Sequence, residues 1–224
     1  MNSVSLVCTV HEPIGLAPEL RAILERIQPE AIFLELPPAA FDDYYGNCSQ
    51  QNLESIAVRQ YREGHQVELV PVDLPVPNQD FANCIPSFFE RIEKESRDFY
   101  RLIDSNSTYV RTEGFTYLNS ERSSKLWSDI YEEMLSTIRR TGDPTLVAFY
   151  ESWKELNKLR EKAMMENIQK YCGENPCHRG AFLVGAAHRQ GVIDISREQY
   201  AIYSTRIQWD FASHWNRKRM HKDS

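Results

Sequence analysis

Apolar and polar residues alternate in blocks along the first third of the chain. Three short apolar runs, "VSLVCTV", "AIFLEL" and "VELVPV", predict strands over 4–10, 31–36 and 67–72. Between them, "APELRAILERI" carries Leu20, Ile23, Leu24 and Ile27 on one stripe, and "NLESIAVRQYREG" closes on Gly64; both patterns predict helices. Short apolar strands separated by helices imply parallel βαβ crossovers, with the strands covered on both faces.

From about 80 to 171 the strand signal fades and helical spacing takes over. Leu126, Ile130, Met134 and Ile138 recur four apart, with Trp127, Tyr131 and Leu135 one step round. Leu146, Phe149, Trp153 and Leu156 continue the pattern beyond the break "RTGDPT". These apolar and aromatic positions read as core packing. "AFLVGA" then restores a strand, and "STRIQWDF" suggests an edge strand. The expected fold is a single α/β domain over 1–224. It has a mostly parallel sheet, flanking helices, and a large helical insertion at about 80–171 capping the C-terminal strand edge.

Composition narrows the function. The 224 residues are 42% apolar and 26% charged, with a formal net charge of −6, which gives no general attraction to nucleic acid. The basic tail "NRKRMHK" reads as a solvated end. No apolar run is long enough to span a bilayer, and the N-terminus lacks the features of a signal peptide, so a cytoplasmic protein without a membrane partner is expected. The five cysteines are then expected as thiols. Cys172, Cys177 and His178 in "YCGENPCH" lack a second Cys/His pair with finger-like spacing, which argues against a zinc finger.

The candidate chemistry lies at the ends of the predicted strands. His11 follows the first, Glu35 ends the second, Asp73 ends the third, and His188 ends the strand in "FLVGAAHRQG". In a parallel sheet these ends share one edge, where open α/β folds place ligands. Glu35 is flanked by Ile32, Phe33, Leu34 and Leu36, so its carboxylate must be paired, metal-bound or protonated. Two His with one or two carboxylates can hold a divalent metal that acidifies water, or can act without metal as general base and electrostatic support. The chain has no G-x-S-x-G elbow, no P-loop and no dinucleotide glycine fingerprint.

These residues resemble the TraB/PrgY/GumN family and its relatives, the TIKI proteases and the erythromycin-esterase and ChaN-like proteins. "CTVH", ending at His11, is similar to the family's Gly-Thr-x-His, with Cys8 in place of the Gly. "PEAIFLEL" carries the matching Glu35, and Asp73 matches a strand-end Asp. "REKAM" from Arg160 looks like the late helix motif, and "GAAH" is the GxxH motif that ends in His188. An Arg usual a few residues beyond the Glu is missing.

The resemblance implies a metal-dependent hydrolase of peptidase or esterase type, with a metal-activated water attacking a carbonyl. His11 and His188 would be ligands of Mn, Co or Zn or proton carriers, Glu35 a further ligand or a base, and Asp73 would orient one of the His rings. Arg160 would hold a substrate carboxylate or the oxyanion. The three ligands are expected within a side-chain length of one another, with Arg160 pointing inward from the cap. The substrate would be a small molecule or a peptide, with homo-oligomerisation left open. The alternatives are a non-catalytic haem or small-molecule binder, with a His or Tyr axial ligand and Arg160 on a propionate, or a regulatory protein whose site has decayed.

Overall fold

The apolar run at 31–36 becomes a strand of four residues, Ala31–Leu34 (β2), all of them buried. Such a run suits a strand under helices on both faces, where no position can be polar without a partner. The structure is a computed structural model describing residues 2–75, 79–175, 178–202 and 207–211. Its sheet has five strands: β1 (Asn2–Thr9), β2, β3 (Glu68–Pro71), β4 (Arg179–Gly185) and β5 (Ile207–Asp210). All pairings are parallel, in the order β3-β2-β4-β1-β5, so the chain has the expected α/β architecture.

Strand β4 comes late in the chain yet lies between β1 and β2. Its register sets Thr9 opposite Gly185 and Leu34 opposite Leu183. The segments after β1, β2 and β4 therefore emerge side by side. On its other side β1 pairs with β5 only through Asn2–Ser5. Beyond that point Asn119 takes the place of a strand: its Oδ1 accepts from Cys8 N at 2.7 Å, and its Nδ2 donates to Cys8 O at 3.2 Å. Backbone groups this deeply buried need such partners.

Helix α1 (Ala17–Ile27) buries Leu20, Ile23, Leu24 and Ile27, the stripe its sequence announces, and ends at Gln28 in the left-handed region (φ 49°). Helix α2 (Leu53–Arg62) begins on a reciprocal cap, in which Asn52 and Ser55 each accept from the other's backbone N–H. The same cap fixes the first turn, which carries Glu54.

The helical block contains α3 (Gln79–Glu95), α4 (Arg97–Glu113), α5 (Phe115–Leu118), α6 (Glu121–Thr141) and α7 (Pro144–Glu174). At the "RTGDPT" break Gly142 adopts φ 64°, and Asp143 caps the next helix by accepting from Thr145 N. The block has a core of its own, built on Phe88, Ile92, Phe99, Ile130, Met134 and Ile138. Helix α7 bridges the two cores. Leu146 and Tyr150 belong to the block, whereas Met164, Met165, Ile168 and Cys172 pack in the core of the sheet. Arg160 and Glu161 lie in the seam between those two sets.

A short 3-10 turn, Ala186–His188, leads from β4 into helix α8 (Arg189–Ile202). No helix of the described residues is long and apolar enough to cross a membrane. The basic tail at 216–222 and Cys177 lie outside the described residues, so the Cys172, Cys177 and His178 set cannot be placed as a group.

Candidate functional site

Glu35 stands one residue beyond β2, at the carboxyl edge of the sheet. Its backbone N–H still donates to Leu183 O, so its position follows the β2–β4 ladder. The side chain crosses to the end of β4, where Oε2 accepts from Gly185 N at 2.6 Å. Gly185 suits this approach, because a Cβ on it would lie 3.3 Å from that same oxygen. The other oxygen, Oε1, accepts from Arg160 Nη2 at 2.6 Å and lies 3.3 Å from His188 Nε2.

His188 is buried and has a carboxylate at each ring nitrogen: Glu35 at Nε2 and Glu161 at Nδ1, the latter at 2.7 Å. Burial by itself would lower its pKa, but the two carboxylates outweigh that and raise it to about 9. The ring is therefore an imidazolium at neutral pH and donates from both nitrogens. Glu35 shows the reverse balance. Burial would raise its pKa, yet His188, Arg160 and the Gly185 N–H hold it well below the usual carboxylate range. Of the three states open to a carboxylate in this setting, Glu35 is ionised and paired.

Asp73, which follows β3, is bound to Arg160 rather than to a histidine. The guanidinium meets it in a two-pronged contact, with Nε 3.2 and 3.1 Å from its two oxygens and Nη2 2.6 Å from Oδ2. This corrects two expectations. The rings are oriented by glutamates, Glu161 for His188 and Glu54 for His11, and not by Asp73. Arg160 does point inward as expected, with its side chain 18% exposed, but Nε and Nη2 are committed to the protein's own carboxylates.

His11 occupies a different setting. Its side chain is 69% exposed, with Nδ1 3.4 Å from Glu54 Oε1. That oxygen also accepts from Thr9 Oγ1 at 2.6 Å, while Oε2 of Glu54 is buried without a hydrogen-bond partner. The contact with Glu54 raises the His11 pKa above its ordinary value. His11, Glu35 and Glu54 line one small cavity of about 30 Å³, together with Asn52, Tyr44 and Tyr45 and the apolar side chains of Leu34, Leu36 and Leu183. Thus His188 touches Glu35, whereas His11 pairs with Glu54 and shares with Glu35 only the lining of this cavity. A second cavity of about 330 Å³ borders Glu161 and Ala187 and is walled by Tyr131, Tyr150 and Trp153, with Lys154 and Lys158 on its lining.

Two residues of the site were missed in the sequence, Glu54 and Glu161. Each had a weak signal. Glu54 occupies a buried position in the first turn of an amphipathic helix, and Glu161 directly follows Arg160 in the "REKAM" motif. Cys8 is fully buried in the core, and burial pushes its thiol up to about 12.

The expected metal ligands do not fit a divalent cation as they are arranged. Both oxygens of Glu35 are engaged by protein donors, and both ring nitrogens of His188 face carboxylates. Among the described residues no group of three or more His, Cys, Asp or Glu side chains is placed to hold a metal ion.

No protein-family model matches the chain, and neither does any curated protein or solved structure.

Proposed function

We propose that the protein is a hydrolase of ester or amide carbonyls, built on the plan of the TraB/TIKI proteins it resembles, with His11 as the proton acceptor. One observation carries this reading: the small cavity that His11, Glu54 and Glu35 line together. Its volume suits about one or two waters, and the unpartnered Oε2 of Glu54 is a buried acceptor of the kind that holds one.

In this reading water in the cavity attacks the substrate carbonyl as its proton passes to His11. Glu54, held by Thr9, fixes the ring and balances the imidazolium. The proton then goes from His11 to the departing alkoxide or amine, which completes the cycle. Raising the His11 pKa makes the ring a stronger base. The buried set of Glu35, His188, Arg160, Asp73 and Glu161 carries three negative and two positive charges. It holds Glu35 ionised and fixed at the cavity wall. The aromatic cavity beside Glu161 suits a substrate with an apolar or aromatic portion.

The test is hydrolysis of a panel of nitrophenyl esters and fluorogenic peptides by the wild type and by His11→Ala. Turnover should rise with pH as His11 loses its proton and should fall about 10²–10⁴-fold in the variant. Equal rates for the two proteins across the panel would sink the reading. Loss of turnover on chelation, restored by Zn²⁺, Mn²⁺ or Co²⁺, would replace it with the metal-assisted mechanism.

A further inference from the structure

The seam between the helical block and the sheet holds the cavity of about 330 Å³, a volume within the range of small-molecule sites. Its aromatic wall comes from two helices, with Tyr131 on α6 and Tyr150 and Trp153 on α7. Ala187, in the turn after β4, borders it from the sheet side. Tyr131 and Trp153 meet edge to face with centroids 5.6 Å apart, and Tyr150 and Trp153 lie 6.2 Å apart, so the three rings are contiguous. Such a wall offers a further aromatic ring both area to bury and rings to stack on or meet edge-on.

The charged residues of the lining decide what that ring carries. Lys154 and Lys158 are opposed by Glu132 and Glu161, so the four sum to no net charge. Three of them are exposed, and Glu161 alone is held in place: its side chain is 15% exposed, and Oε1 accepts from His188 Nδ1 at 2.7 Å. Its other oxygen, Oε2, has no hydrogen bond among the described residues and is not sealed from solvent. A carboxylate oxygen only accepts, so its complement on a ligand is an N–H or O–H. A ligand cation would face both lysines and, behind Glu161, the His188 imidazolium; a ligand anion would face Glu132 and Glu161. An uncharged donor meets neither repulsion.

We infer that this cavity binds an uncharged aromatic group bearing an N–H or O–H donor, with its ring against Tyr131, Tyr150 and Trp153 and its donor on Glu161. The inference rests on the hydrolase reading only in making that group part of the substrate; the binding itself stands without it. Indole and N-methylindole are the probes, titrated into the full chain by ligand-observed NMR while the His188 ring resonances are followed. Indole should bind saturably and move those resonances, since its N–H shares the carboxylate that holds the ring. N-methylindole keeps the ring but has no donor, and should bind about tenfold more weakly or worse. Ala187→Leu, which fills the cavity, and Trp153→Leu, which removes its central ring, should each weaken indole binding by about tenfold or more. A variant that does not fold is set aside, and the comparison of the two indoles on the wild type decides. Absence of indole binding, equal binding of the two indoles, or indole binding unchanged in a folded variant overturns the inference. Tighter binding of benzoate or benzylammonium than of indole makes the site one for charged ligands and overturns it as well. Indole binding together with equal hydrolysis by the wild type and His11→Ala would leave this site standing and remove the hydrolase reading; the converse pair of results would do the reverse.

Discussion

The charge state of His188 can be tested through stability alone. Its pKa rises from 6.5 to about 9 on folding, because Glu35 and Glu161 flank the ring. A group whose pKa is raised in the folded state stabilises fully below its unfolded pKa, and that stabilisation is lost as pH rises through the folded value. At about 1.36 kcal/mol per pH unit the protonated ring contributes about 3 kcal/mol at pH 6, nearly all of it gone by pH 9. Other groups must be separated from this change. His11 is also raised and shifts stability in the same direction, whereas Glu35 is depressed and acts only on the acid side. The Cys8 thiol, pushed up to about 12 by burial, matters only above about pH 9, where the unfolded thiol ionises. Urea unfolding of the wild type and of His188→Gln, measured across pH 6 to 9, removes these shared contributions. The gap between the two proteins should narrow by about 3 kcal/mol over that range. A gap that stays constant with pH would mean that His188 is neutral in the folded protein, and the account of the buried cluster would be wrong.

Gly191→Ala should act on the same ring from a distance. A Cβ at that position would lie 2.6 Å from Glu161 Cδ, so the carboxylate must leave its place beside His188. The His188 pKa should fall, as read from imidazole NMR titration, with a stability loss of about 1–3 kcal/mol; an unmoved titration curve would refute the coupling. Arg160→Lys preserves the charge but cannot reproduce the two-pronged contact with Asp73 together with the bond to Glu35. A loss of about 2–4 kcal/mol in urea unfolding is expected, and a wild-type midpoint would show that charge alone suffices.

Much of this architecture was legible in the chain because local rules govern it. Consecutive buried residues such as Ala31–Leu34 announce a strand covered on both faces, and the α1 stripe announces a helix packed on one side. The break at Gly142 and Asp143 follows from glycine's access to the left-handed region and the capping preference of aspartate. Strand-end position also singled out His11, Glu35, Asp73 and His188, since parallel strands bring their ends to one edge whatever their order.

What the sequence could not supply was the pairing. That depends on β4 entering between β1 and β2, a long-range choice that sets Gly185 and His188 against Glu35 rather than against Asp73. Asp73, at the outer strand, is then reached only by Arg160 from helix α7. Glu161 and Glu54 entered the site in the same way, because helix packing, and not any local pattern, aims their carboxylates at the two rings. The residue types and the edge they occupy were written in the chain. Which charge neutralises which, and hence that His188 is held as a cation while His11 stays open to solvent, was decided by tertiary structure, since Coulomb energies depend on separations that only the folded chain defines.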